Sequence, residues 1–291
     1  MHTSSSSADP CEPLRGIAWR RLRVRLRNVR NAFAKEPPLF IFKGVLKSAC
    51  SSVEGLKCDY FYHPAGPPWG ARIAKDHAYD LDIVFPAATG SEVGAFRDGL
   101  ARQVEKTPRN FAIESLGPVE QRDLAALESE WRHDPRDTDE VCLDFITPLD
   151  FTPPDPARPW MLPAAHLLRL CTVHLVRLFP ALPWPMEIPS AGLETLPWFW
   201  ETAETLWHRS KSQPGTRQPF GGMTGPLFLR GDRVSVLPVL LACSELHTGY
   251  GNGDEHGLLA QRHAHHPIAS AAGHFILRTG RDHSDFKRRN R

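Results

Sequence analysis

The sequence predicts an α+β protein of two domains, and three observations predict it. Apolar and charged residues alternate at period two in several short runs, as they do in half-buried strands. In the first half these runs and the helical stretches between them follow the order β-α-β-β-α-β, the ferredoxin-like arrangement. The alternation then restarts at Val141, after a polar and acidic connection. A chain of 291 residues fits two domains of ordinary size better than one. With 41% hydrophobic and 23% charged residues it can build packed cores, which excludes a disordered protein. We expect a disordered N-terminus at 1–14, domains at 15–139 and 140–276, and a basic tail at 277–291.

The elements of the first half follow in order. Residues 1–14 are serine-rich and aperiodic. In the run Trp19 to Arg30, Leu22, Val24 and Leu26 alternate with Arg21, Arg23, Arg25 and Arg27. As a strand this run buries its aliphatics and sets four guanidiniums in a row, whereas a helix would scatter them all round. Like charges so close repel unless something anionic lies across them. The row suits a polyanion; the alternative is an edge strand whose charges keep other chains away. Phe40 to Ser52 has helical character, with Lys43 and Lys47 four apart on one face. Cys58 to Trp69 is an aromatic segment ending in a proline turn, with His63 before Pro64. Tyr79 to Phe85 sets Leu81, Ile83 and Phe85 against Asp80 and Asp82, as a strand does. Ser91 is the expected N-cap of a helix that ends before Pro108. Phe111 to Val119 is the next strand, and 123–139 is the acidic connection.

In the second half, Val141, Leu143 and Phe145 alternate until the break at Thr147-Pro148. Leu162 to Leu178 is an apolar helix whose His166 and His174 read as packed core residues. A proline-rich and aromatic stretch follows, with Trp184, Trp198, Phe199, Trp200 and Trp207. Such rings can stack bases or fill a core, and the core reading is favoured for most. His208 to Arg217 is basic and turn-forming, which leaves Arg209, Lys211 and Arg217 at the surface. Then come paired glycines, Gly221 and Gly222, an apolar strand at Pro226 to Leu229, a turn at Gly231-Asp232 and a helix on LPVLL. Gly249, Gly251, Gly253 and Gly257 are too dense for one turn. Amides exposed in such a loop can form an anion-binding concavity, and a long flexible connection is the alternative. The histidines of 263–266 stand in a polar tail and read as solvated.

The net charge of +2 conceals an asymmetry: residues 1–75 hold 13 Lys and Arg against 5 Asp and Glu, and residues 76–160 hold 8 against 18. A basic first quarter suggests one face built for a polyanion. Six cysteines without a CxxC pair argue against a zinc site and a disulfide framework. Cys142, Cys171 and Cys243 lie in apolar runs and read as buried thiols. No apolar run reaches membrane-span length, and the N-terminus lacks the apolar core of a signal peptide, so a cytoplasmic location is expected.

The frame of Gly221, Gly222 and Gly225, apolar strand, turn, LPVLL helix and Gly249-Tyr250-Gly251-Asn252-Gly253 resembles the C-terminal signature of the CRISPR repeat-cleaving endoribonucleases. These belong to the repeat-associated RNA-binding superfamily. Val141 to Phe151, with its Thr-Pro, resembles the strand that opens their second domain, and Phe42-Lys43-Gly44 resembles the lead into their first helix. The likeness covers about 141–259 well, and the first half by charge, element order and that one step. It implies two ferredoxin-like (RRM-like) domains in tandem with a C-terminal glycine-rich loop. It also implies CRISPR precursor RNA, mature guide RNA and other subunits of a CRISPR effector complex as partners, with no membrane, no metal and no cofactor. Two departures make the chain most similar to a divergent branch, such as the type IV CRISPR RNA-processing subunit. Many members place a catalytic histidine in or just after the first helix, and this chain has none between His2 and His63. Asp254, Glu255 and His256 stand where basic or small residues are usual.

The reaction that the resemblance implies is metal-independent. The 2′-hydroxyl attacks the adjacent phosphate in line, leaving a 2′,3′-cyclic phosphate and a 5′-hydroxyl. The protein must hold that geometry, move a proton and stabilise the phosphorane. Histidine suits the proton step; arginine stays charged, but its fork fits phosphate. The candidate catalytic residues are therefore Arg23, Lys43 and Lys47 for charge, with His63 as the nearest proton-transfer group, although its place before Pro64 favours a structural role. The candidate RNA contacts are Arg21, Arg25, Arg27, Arg209, Lys211, Arg217, Gly249, Gly251 and Gly253. One rival is a non-catalytic hairpin-binding subunit. The other is a metal-dependent enzyme built on Asp80, Asp82 and the 134–140 run, where no His or Cys is paired with the acids.

Overall fold

The computed structural model describes residues 9–30, 38–53, 60–65, 74–132 (bar 109), 140–203 (bar 152, 184, 185, 187 and 198), 206–209, 217–220, 222–231, 236–247 and 273–279. They form two antiparallel sheets, a two-stranded ribbon and five α-helices, so the α+β expectation holds.

The first sheet is built from β1 (Ala18–Asn28), β2 (Phe61–Ala65), β3 (Ala78–Phe85) and β4 (Phe111–Asp123), in the order β2-β3-β1-β4. Helices α1 (Pro38–Ser51) and α2 (Gly90–Lys106) cover one face. There Leu22, Val24 and Leu26 of β1, with Leu81 and Ile83 of β3, pack against Phe42, Leu46, Phe96 and Leu100. The period-two alternation of β1 thus fixes which face is core and which carries arginine. Helix α2 starts two residues earlier than expected. Its N-cap is Thr89, not Ser91, because Thr89 and Glu92 close a reciprocal capping box, and Ser91 has no acid three residues on.

The second unit repeats the pattern. Helix α3 (Leu124–Arg132) leads to β5 (Glu140–Leu149), α4 (Ala164–Leu178), β6 (Glu194–Leu196), β7 (Glu201–Thr202), the ribbon of β8 (Leu206–Arg209) and β9 (Arg217–Phe220), β10 (Met223–Arg230), α5 (Leu237–Leu246) and β11 (Phe275–Thr279). The sheet order β11-β5-β10-β6 places fourth, first, third and second main strands side by side, as in the first sheet, with β7 paired to β10. Leu143, Phe145 and Leu227 pack against Leu167, Cys171, Leu175 and Leu240. Cys142, Cys171 and Cys243 are buried thiols, as expected.

Several expectations are corrected. Within the stretch expected to be disordered, Glu12–Leu14 form a 3₁₀ turn, with Cys11 and Leu14 buried in the second core. The 123–139 connection contains α3, whose Leu124 and Leu127 join that same core. The tail expected from 277 begins inside β11, which pairs with β5 from Phe275 to Thr279. His63-Pro64 is in an edge strand rather than a turn, a place where proline's missing donor is tolerated. At Gly222 φ is +131°, and a Cβ would lie 2.3 Å from the carbonyl oxygen of Leu149, so only glycine fits. The glycine-rich segment, with Gly249, Gly251 and Gly253, lies outside the described residues. No helix among the described residues is long and apolar enough to cross a membrane.

Candidate nucleic-acid interface

The face of the first sheet opposite α1 and α2 is covered at one end and open at the other. At the covered end Trp19 and Val84 join the second unit's core beside α3 and α5. Glu245, near the end of α5, accepts from Trp19 Nε1 at 3.0 Å, Arg21 Nη1 at 3.3 Å and Arg122 Nη2 at 3.0 Å. Phe61 of β2 packs edge-on to His174, with His247 beside it and the ring of His274, tilted, centred 4.5 Å from that of His247. His174 is a core residue, as the sequence indicates: burial drives its pKa down to about 4, against a hydrogen bond with the carbonyl of Leu246.

The arginine row is real, and its charge is answered from within the sheet. Arg21 donates to Glu120 at 2.7 Å, Arg23 Nε to Asp82 at 3.1 Å, and Arg25 to both Glu114 and Asp80. Arg27 Nε reaches the other oxygen of Glu114 at 3.0 Å. These are cross-strand pairs, with Arg23 opposite Asp82, Arg25 opposite Asp80 and Arg21 opposite Glu120. The acids relieve the repulsion along the row. The hydrogen bond from Arg21 is the main cause holding Glu120 below the usual carboxylate range.

The row is not uniform. Arg21 is 12% exposed, while Arg23, Arg25 and Arg27 are 58%, 46% and 41% exposed. Strand β4 slips register twice against β1, between Leu22 and Val24 and between Arg25 and Leu26. The first slip brings Gly117-Pro118 opposite Arg23, and the second makes Glu114 the extra residue that serves both Arg25 and Arg27. Beside the bulge is an open depression of about 480 Å³ lined by Arg23, Arg25, Asp80, Asp82, Ser115 and Gly117.

The candidate catalytic residues divide. His63 pairs in register with Asp82, and Asp82 with Arg23, so the three form one row across β2, β3 and β1. Arg23 and Lys47 do not come together. Helix α1 packs on the leucine side of β1, so the sheet separates its exposed Lys47 from the arginine face. Lys43 is on the same helix; its side chain lies outside the described residues, as does that of His63. Arg209 and Arg217 are paired opposite each other in the β8–β9 ribbon, and Lys211 lies outside the described residues. The acids Glu114, Glu120 and Glu245 escaped the sequence reading. Asp80 and Asp82 were visible in the period-two pattern but read as metal candidates. Nothing local marks Glu245, whose partners are more than a hundred residues away.

The class defined by this fold is that of α+β proteins with two antiparallel sheets, here one of four strands and one of five, each packed against helices. A chain of the partial Cas6-RT-Cas1–Cas2 complex is similar at 14% identity and TM-score 0.54 over 92% of this chain; the present chain spans 47% of that one. The Thermus thermophilus Cas6 is similar at 14% identity and TM-score 0.44, over 90% of this chain and 99% of that one. A RAMP protein solved binding different RNA substrates is similar at 12% identity and TM-score 0.43, over 89% and 98%. No protein-family model and no curated protein matches the chain. The likeness read from the sequence is thus met at the level of fold.

Proposed function

We propose that this protein binds the repeat hairpin of CRISPR precursor RNA, cleaves it without metal to give mature guide RNA, and retains the product. The observation that carries the reading is the row His63–Asp82–Arg23 on the open end of the first sheet. It sets a proton-transfer residue, a carboxylate and an exposed guanidinium on adjacent strands. Asp82 bonds Arg23 through Nε, so the two terminal amino groups of Arg23 remain for a phosphate. In this reading Arg23 stabilises the phosphorane, His63 moves the proton, and Asp82 orients both. Arg209, Lys211, Arg217 and the segment with Gly249, Gly251 and Gly253 hold the stem by its phosphates, since an A-form major groove is too deep for side chains. Lys43 and Lys47 are not part of this site. The solved neighbours support the reading by their fold, and other subunits of a CRISPR complex are the partners it implies.

The second reading is a non-catalytic hairpin-binding subunit. It is favoured by the ion pairs that already occupy each arginine of the row. Incubating the purified protein with repeat RNA separates the two. Cleavage at one position with a cyclic phosphate end supports the nuclease, and tight binding with no product supports the subunit.

A further inference from the structure

We propose that Arg25 is a stacking platform for one unpaired base next to the repeat hairpin, and that it does not grip a phosphate. This rests on the RNA-binding reading above. Arg25 Nε donates to Glu114 at 3.1 Å, and Nη1 donates to the two oxygens of Asp80 at 3.2 and 3.0 Å. The N–H bonds of a guanidinium lie in its plane. Carboxylates from β4 and β3 therefore hold its edge on two sides and leave its flat faces without a hydrogen bond, on a side chain 46% exposed. The hydrogen bond to Glu114, and then the charge of Asp80, push its pKa further up, so it stays a cation at every working pH.

Charge decides against a phosphate track at this place. The open end of the face carries three arginines, and they are met by four carboxylates, Asp76, Asp80, Asp82 and Glu114. Beyond the single phosphate that the terminal amino groups of Arg23 can meet, a polyanion gains little from a surface with no net positive charge. Stacking on a guanidinium plane needs no net charge, and it is a recognised way to hold a splayed RNA base. The space is also there. The depression beside Arg25 is open to solvent and has a volume of about 480 Å³. Its floor includes Gly117, where a Cβ would come within 3.1 Å of the carbonyl oxygen of Arg23. Ser115 and the acids at the rim offer hydrogen-bonding groups for the edge of the base.

The test uses the whole protein and a repeat hairpin with single-stranded flanks, in which each flank nucleotide is made abasic in turn. Arg25→Lys keeps the charge and loses the plane. The expected result is about tenfold weaker binding by Arg25→Lys, with an unchanged slope of log affinity against log salt. One abasic position should weaken wild-type binding by a similar factor and weaken Arg25→Lys no further. Wild-type affinity in Arg25→Lys, or a flat abasic scan on the wild-type protein, overturns the stacking role. The scan alone decides if the variant folds poorly. Failure of the wild-type protein to bind any repeat hairpin instead overturns the reading on which this one rests.

Discussion

Arg23 and Arg25 stand two residues apart on one strand and differ in what their guanidiniums have left to offer. Arg25 is held by two acids, whereas Arg23 is bonded through Nε to Asp82 and is the most exposed of the row. Arg23→Ala should therefore slow single-turnover cleavage by about 10²–10³, the usual effect of losing one donor to a developing oxyanion. Hairpin affinity should fall little. His63→Ala should slow cleavage by about 10²–10⁴, and Lys47→Ala, on the far side of the sheet, should leave the rate unchanged. Equal losses from Lys47→Ala and Arg23→Ala would show that the site is not on the arginine face. His174 makes a prediction in pH. Its folded pKa of about 4 lies below its ordinary 6.5, so the unfolded state binds more protons between these values. Stability is full above about pH 6.5 and falls as pH drops towards 4, by up to about 3 kcal/mol from this group. Urea unfolding should show about 2 kcal/mol of that loss between pH 7 and pH 5, and His174→Gln should reduce it.

At the scale of elements, the legible parts were those whose signal is local. Period two in β1 and β3 gave both strands and the sides their residues take, because a strand must alternate. The apolar run of α4 and the strand-turn-helix of β10 and α5 were visible for the same reason. What was missed depends on distant partners. Helix α3 looks like an acidic linker until α5 covers Leu124 and Leu127, and β11 is a five-residue run that becomes a strand by pairing with β5. The pairing of the arginine row was illegible because Glu114 acquires its two partners from a register slip, which no pattern in β4 announces. The polar part of the joint between the units, beside the packing of Trp19, Val84 and Phe61, centres on Glu245. Glu245→Ala leaves Trp19, Arg21 and Arg122 without their shared acceptor, at a site where Glu245 is 15% exposed. The loss should be about 1.5–3 kcal/mol in equilibrium unfolding, with Glu245→Gln intermediate. Gly222→Ala should cost at least about 2 kcal/mol, since it combines positive φ with a backbone clash. Unchanged unfolding midpoints in either variant would contradict these contacts.

For the whole molecule, the two sheets meet through Glu245, Trp19 and Phe61, so the arginine face has one end closed by protein and one end open. In the proposed function, an RNA stem held by the second unit presents its scissile phosphate to the open end, and this end cuts the strand by attack of the RNA's own 2′-hydroxyl. The most direct measurement is single-turnover cleavage of a repeat hairpin carrying one 2′-deoxyribose at the scissile position, with and without chelator. The deoxy substrate should bind normally and remain uncut, and chelator should leave cutting of the all-ribose hairpin unchanged. Undiminished cutting of the deoxy substrate, or loss of activity in chelator, would contradict this mechanism.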